Sequence, residues 1–324
     1  MSGFSAEWLA MREGADAKAR SDRPVHALND WLRDSPTASI IDLGCGSGSN
    51  LRWLASRVAA HQHWQLIDND QHLLSQASDS LRDWASARSA LANNAERDSQ
   101  SAAQVDDAAA LRLSEGLSVR LTRCDLSTQL PSLHGTDLLC ASALLDLVSR
   151  DWLSMLIAEC ERQQVAAYFA LNYDGRMRFT PGHADDAMIR DALNRDQCAD
   201  KGFGPALGPD CVAALHSQCQ AHHYRLVQWR SDWRLGADEQ PLHAQLVSDF
   251  AQIAERNLPH HQHQRVRAWQ RWRRERCGAS TLSVGHVDAL ALPYAPRAAA
   301  TRPLKEHFAP AIARASTTAK SPSK

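Results

Sequence analysis

The chain has 324 residues, 44% of them apolar, with 36 Lys and Arg against 37 Asp and Glu. That is enough chain for one large core with insertions, and the balance is that of a folded globular protein rather than a disordered one. The formal net charge of −1 excludes a global field that would gather nucleic acid or an anionic membrane, so such a partner would need a local patch. No apolar run approaches the roughly 20 residues that span a bilayer. The opening MSGFSAEWLAMREGADAKARS lacks the cationic start, apolar centre and cleavage site of a signal peptide, so a cytoplasmic location is expected. The eight cysteines form no C-x-x-C pair and read as reduced thiols.

Residues 1–37 read as an N-terminal helical region, with Val25, Leu28, Trp31 and Leu32 at helical spacing until Ser35-Pro36 breaks it. Ala38 to Leu43 is a short apolar strand that stops at glycines, and Leu51, Leu54, Ala55 and Val58 then repeat at helical spacing. A second strand, Trp64 to Ile67, ends in Asp68-Asn69-Asp70, and the next helix carries Leu73, Leu74, Ala77, Leu81 and Trp84 on one side. Residues 87–116 turn to Ala, Ser, Asn, Asp and Gln and read as a helix extension or mobile insertion. Further strands are expected at Ser118 to Arg123, Asp137 to Ala141 and Val165 to Leu171, the last two flanking a helix with Trp152, Met155, Leu156 and Cys160 on one face. After a Gly/Pro-punctuated stretch, DKGFGPALGPDC, come a helix Cys211 to Ala221, a strand Tyr224 to Trp229, helices around Leu242 to Glu255 and His263 to Arg276, and a strand Thr281 to Leu292. Residues 295–324 are Pro, Ala, Ser, Thr and Lys rich and read as a disordered tail. The βαβ alternation argues for an α/β fold with a doubly wound, mostly parallel sheet.

The strongest local signal is Asp42-Leu43-Gly44-Cys45-Gly46-Ser47-Gly48-Ser49-Asn50, placed where doubly wound folds bind ligands. A dinucleotide fingerprint, G-x-G-x-x-G, would want its third glycine where Ser49 stands; here the glycines fall at 44, 46 and 48, with an acid two residues before the first. This resembles the first motif of class I S-adenosylmethionine methyltransferases, D/E-x-G-x-G-x-G, over roughly residues 39–172. The resemblance implies a seven-stranded sheet whose last strand is antiparallel, residues 38–294 forming the cofactor-binding domain, and S-adenosylmethionine as cofactor. It implies that the Gly44 to Gly48 loop wraps the methionine and ribose portion, with Asp42, Cys45 and Asn50 around it and a helix N-terminus near Gly48 facing the methionine carboxylate. Asp68, 24 residues after Gly44, matches the ribose-binding acid, and Asn69 lines the same edge. Asp125 matches the acid that meets the adenine amino group, with Leu126 supplying a backbone N–H. Ala141, Ser142 and Leu145 match the stretch beside the sulfonium.

Methyl transfer from a sulfonium is a direct displacement, so a dedicated base is optional. Asp146, Tyr173, Asp174 and His183 are the candidates, because they follow the fourth and fifth parallel strands at the ligand end of the sheet. No (D/N)-P-P-(Y/F/W) follows the fourth strand, and Cys140 is followed by Ala141-Ser142 rather than preceded by proline. Their absence favours a small-molecule acceptor over a nucleic acid. Two long additions, 173–223 and 236–278, are expected to build the acceptor pocket together with the region of Trp8 and Arg12. The run HQHQRVRAWQRWRRERC keeps an RNA or protein methyltransferase open, although Val266, Trp269 and Trp272 on one side read as a helix docked on its own core. A cofactor-binding protein without catalysis stays open too. His222, His223, His260, His261 and His263 lack a carboxylate or Cys at ligand spacing, so no metal is expected.

Overall fold

The computed structural model describes residues 4–93 and 110–294. Two helices come first: α1 (Ala6–Ala19), whose first turn is capped by the Ser5 hydroxyl accepting from the Trp8 N–H, and α2 (Arg23–Trp31), which has a proline in its first turn. Then follow β1 (Thr37–Leu43), α3 (Ser49–Leu54), β2 (His61–Asp68) and α4 (Gln71–Asn93). The middle of the chain forms β3 (Ala110–Ser114), β4 (Leu117–Arg123), β5 (Leu138–Ser142), α5 (Arg150–Gln163) and β6 (Ala166–Thr180). The remainder forms α6 (Asp186–Gln197), α7 (Cys211–Ala221), β7 (Tyr224–Arg230), β8 (Trp233–Leu235), α8 (Gln240–Asn257), α9 (His263–Arg274) and β9 (Thr281–Pro293).

The strands make one sheet in the order β3-β4-β2-β1-β5-β6-β9-β7, with β8 paired to β9 off this path. The run β4 to β6 is parallel, and β9 lies antiparallel to β6 and β7. The doubly wound, mostly parallel sheet and its antiparallel last strand are therefore present, but with nine strands instead of seven. The two extra strands are short. β3 pairs antiparallel with β4 at the sheet edge, and only Leu111 and Leu113 give it an alternation; β8 has three residues. Within the 87–116 segment, α4 runs on to Asn93 and β3 begins at Ala110; residues 94–109 and the tail 295–324 lie outside the described residues.

Side-chain alternation fills both faces of the sheet. Ile41, Leu43, Leu139, Ala141 and Phe169 pack with α5 and α7, while Ile40, Leu138, Cys140 and Tyr168 pack with α2, α3 and α4. On α5 the buried face is Trp152, Leu153, Leu156, Ile157 and Cys160, and Met155 is exposed, contrary to the expected stripe. Residue 155 trails 152 on the helical wheel and lands beyond the edge that α7 covers. β6 runs well past the expected Leu171, and its outer part pairs with the first half of β9. Those outer halves need their own cover, which α6, α8 and α9 supply around Phe179, Leu246, Val247 and Trp269.

Where β6 leaves the parallel sheet, Leu171 adopts φ 54 and the register with β9 shifts. Fully buried Asp288 secures this point: one oxygen accepts from the Leu171 N–H at 2.8 Å, the other from the Tyr168 hydroxyl at 2.9 Å. Tyr168→Phe would leave a buried carboxylate oxygen without its donor, at a cost of about 1–3 kcal/mol. Urea denaturation should show a lower midpoint with an unchanged slope.

Candidate functional site

Along the sheet the strand order reverses at β1, between β2 on one side and β5 on the other, and the crevice outside their carboxyl ends is where open α/β sheets bind ligands. The glycine loop turns there. Its backbone is tied down by Cys45 N–H to Ile67 O at 3.0 Å and Gly46 N–H to the Asp68 carboxylate at 2.9 Å. Gly46 has φ +52, and a Cβ on it would stand 2.9 Å from a methyl of Leu9 on α1, so both the conformation and the close approach of the N-terminal helix call for glycine.

A cavity of about 540 Å³ opens at this loop. Of the residues singled out by sequence, Asp42, Gly44, Cys45, Gly46 and Asn50 line it on one side, Asp68 and Asn69 on a second, Asp125, Leu126 and Ser142 on a third. Three do not line it. Gly48 caps α3 with φ +80, while Ala141 and Leu145 are buried in the core beneath. α3 itself is a six-residue helix, so its dipole is smaller than the pattern suggested.

The two neighbouring carboxylates after β2 have different work. Asp70 accepts from the His72 N–H at 2.8 Å and starts α4, whereas Asp68 holds the Gly46 and Asp70 N–H groups and faces the cavity. Asp125, exposed, accepts from both the N–H and the hydroxyl of Ser127, which hold its carboxyl below the usual range. The carbonyl of Leu126 is fixed by the Trp152 indole N–H at 2.7 Å.

Asp42 is fully buried at the floor. Its Oδ1 accepts from Asn50 at 2.7 Å, and its Oδ2 has no partner. Burial pushes its carboxyl up to about 7 against the pull of the Asn50 and Cys140 hydrogen bonds. Asn50 in turn accepts from Arg20 at 2.8 Å, and Arg20 lies over the Trp53 ring at 3.8 Å. Sequence reasoning missed Arg20, because an arginine between two surface helices carries no local signal of burial.

The cavity lining is completed by Phe4, Leu9, Arg12 and Asp16 from the N-terminal region, and by Leu147 and Phe203. Arg12 was expected there, whereas Trp8 packs instead on the cluster around α8. Phe203, from the Gly/Pro-punctuated stretch, meets Trp152 edge to face at 5.5 Å. It is the one residue of 173–223 on the cavity wall, and 236–278 contributes none, because α8 and α9 cover the outer halves of β6 and β9.

The four candidate proton acceptors are not brought together. Asp174 forms ion pairs within an Arg176–Asp232 clamp; Tyr173 donates to Asn194 at 2.7 Å; His183 lies against Trp272 on the α6–α9 side. None of these three lines the cavity. Asp146 does not line it either, but it sits between Leu144 and Leu147, which do, and its Oδ1 is buried without a partner.

No residue of α9 borders the cavity, as nucleic-acid binding by that helix beside the pocket would require. Three of its five arginines, Arg265, Arg267 and Arg273, are engaged with Asp185, Glu255 and Asp186, and Arg273 is fully buried beside Trp269, while Trp272 is only half-buried. Among the described residues no group of three or more His, Cys, Asp or Glu could hold a metal ion, and no helix is long and apolar enough to cross a membrane. All eight cysteines are free.

No protein-family model and no curated protein matches the chain. Solved structures do resemble it. A cyclopropane-fatty-acyl-phospholipid synthase-like protein from Lactobacillus casei is 14% identical with a TM-score of 0.46, over 90% of this chain and 95% of that one. An S-adenosylmethionine-dependent methyltransferase from Geobacter sulfurreducens, in complex with S-adenosyl-L-homocysteine, is 16% identical with a TM-score of 0.42, over 92% of this chain and 100% of that one.

The buried floor has a pH signature. Asp42 keeps a proton in the folded state between the ordinary carboxylate value near 4 and about 7, whereas the unfolded chain has lost it. The folded state binds more protons in that window, so stability falls as pH rises through it. Asp146, pushed up by burial to about 6, acts in the same direction. Asp42→Asn should flatten the fall by on the order of a few kcal/mol, and adding Asp146→Asn should remove most of the rest. Urea denaturation at about pH 5 and about pH 8 measures both.

Proposed function

We propose that the protein is an S-adenosylmethionine-dependent methyltransferase acting on a small-molecule acceptor. The observation that carries this reading is the convergence of the glycine loop, Asp68 and Asp125 on one cavity at the point where the strand order reverses. The residues present fit the cofactor. Buried Asp42 Oδ2, without a partner, is suited to the ammonium of the methionine portion. Asp68, set rigidly by two backbone N–H groups, would accept from ribose hydroxyls, with Asn69 beside it. Asp125 and the Leu126 N–H would meet the adenine edge, and Ser142 would stand near the methyl group. Gly48, Ala141 and Leu145 would act from behind, by capping α3 and packing under the strand ends.

When bound, the cofactor supplies an activated methyl group on a sulfonium. The chain's own residues then have to align the acceptor and exclude water. Phe4, Leu9, Leu147 and Phe203 add apolar walls to a cavity of about 540 Å³, dimensions that suit a small molecule. Residues 38–294 would thus form the cofactor-binding domain, and 1–37 would serve as its cover.

Calorimetric titration with S-adenosylmethionine and S-adenosylhomocysteine, with NAD as control, tests the reading. Both sulfur compounds should bind and NAD should not. Asp68→Ala removes the ribose acceptor and the anchor of Gly46 together, and should weaken binding at least about tenfold, or 1.4 kcal/mol. Binding of NAD in their place would overturn the proposal.

A further inference from the structure

Five aspartates and two arginines line the cavity: Asp16, Asp42, Asp68, Asp70 and Asp125 against Arg12 and Arg123. Each aspartate already accepts from at least one group of the protein. Arg123 gives its Nε–H to the Asn69 carbonyl at 3.1 Å, beside Asp68.

Arg12 is set differently. Its Nε and Nη2 donate to Asp16 at 2.9 and 3.2 Å, and Asp16 takes a third hydrogen bond from the Trp233 indole at 2.9 Å. The Trp233 ring, packed on His286 at 5.0 Å, covers the guanidinium at 4.9 Å. Both the edge and the face of the guanidinium are therefore held. The remaining Nη1 donates to no group of the protein and keeps access to solvent, on a side chain only 13% exposed. A cationic donor fixed in such a place acts more strongly on an anion than one on the open surface.

The neighbours of Arg12 on α1 show where along the cavity it stands. Leu9, three residues earlier on the same helical face, puts a methyl 2.9 Å from where a Cβ of Gly46 would be. Glu13 takes the Arg52 guanidinium at 2.6 and 2.8 Å, and Arg52 in turn donates to the Ser47 carbonyl at 2.7 Å. The turn of α1 that carries Arg12 is thus pinned twice to the glycine loop.

We propose that Arg12 is the partner of the carboxylate in the cofactor's methionine portion, and that α1 is a cover which the cofactor itself fastens. The inference rests on the methyltransferase reading above, in which the glycine loop wraps the methionine end. That end carries the one anionic group of S-adenosylmethionine; its ammonium and sulfonium are cations and meet acids. α3, with six residues, offers the carboxylate little dipole, whereas a guanidinium edge supplies full charge and directed donors. S-adenosylhomocysteine keeps the same carboxylate, so the product holds the cover as the cofactor does.

Calorimetric titration of S-adenosylhomocysteine and of its decarboxylated analogue, which differ by that one group, tests the proposal. The wild-type protein should bind S-adenosylhomocysteine at least about tenfold more tightly. Arg12→Gln should reduce this discrimination to within about twofold while affinity for the decarboxylated compound changes by less than about twofold, and Arg12→Lys should keep part of it. A merely structural role for Arg12 would weaken both compounds alike. Amide hydrogen exchange on the wild-type protein needs no variant: by linkage, saturating S-adenosylhomocysteine should slow exchange in α1 at least about tenfold more than the saturating analogue. Equal affinity of the wild-type protein for the two compounds, unchanged discrimination or parallel weakening in Arg12→Gln, or equal protection of α1 would each overturn the proposal. Should Arg12→Gln bind neither compound, the exchange comparison decides. Failure of the wild-type protein to bind either one would instead show that the underlying reading is wrong, and the role of Arg12 with it.

Discussion

The hydrogen bond between Asp42 and Asn50, 2.7 Å long and sealed from water, is the contact on which the site's shape depends. Asp42 is the penultimate residue of the central strand β1, and Asn50 stands in the first turn of α3. Cys140 of β5 adds a weak donor at 3.5 Å to the same oxygen. Through Asn50 the chain of contacts reaches Arg20, between α1 and α2, so the glycine loop is gripped from the sheet, the following helix and the N-terminal region at once. A buried carboxyl with one unsatisfied oxygen is a poor way to stabilise a fold. It is a good way to specify one geometry of a loop, and it puts an empty acceptor on the cavity floor.

The N-terminal helix that covers the cavity is attached differently from the rest of the molecule. α1 buries only Ala15. It is held by Glu13 with Arg52, by Lys18 with Glu239, by Asp16 with Trp233 and by the Trp53 indole donating to the Ala17 carbonyl. Partly exposed ion pairs of this kind each contribute little and weaken with salt. The sheet, by contrast, rests on apolar clusters packed on both faces. Cover and platform therefore differ in how they are held, although Ala15, Trp8 and Ala19 still pack on the cluster around α8. α8 is tied to the cavity only at this remove: Glu239, just before it, anchors α1, while the helix itself does not reach the wall.

Most of the platform was legible in the sequence because its signals are local. The glycine loop, the acid closing β2 and the apolar runs of β1, β5 and β6 each carry their meaning within a few residues. What escaped depends on distant partners. β8 is three residues recognisable as a strand only through β9, and the extension of β6 past Leu171 follows from pairing with β9 across a polar Asn-Tyr-Asp-Gly segment that reads as a turn. Position after a strand made Asp174 and His183 look like site residues, but Asp174 is taken by Arg176, and His183 lies on the side that α9 covers. Arg20 and His286 show the converse. Neither lies in a motif, and each matters through what the fold packs around it.

Polar atoms left unpaired inside a protein are the places where local consistency has been given up, and here they occur in site and scaffold alike. Asp42 Oδ2 lies on the cavity floor, whereas Asp146 Oδ1 and His286 Nδ1 belong to residues that do not line it. In the scaffold, His243 has both ring nitrogens unpaired and lies away from the cavity, stacked on Phe179. Burial and the nearby Arg273 charge hold its pKa down, so it is carried as a neutral ring whose cost is that of a buried amide rather than of a charge. A carboxylate has no such inexpensive form at neutral pH unless its pKa rises, and both Asp42 and Asp146 are pushed upward, to about 7 and about 6. Of the two only Asp42 lines the cavity, so a cation arriving at that wall would favour its ionised form.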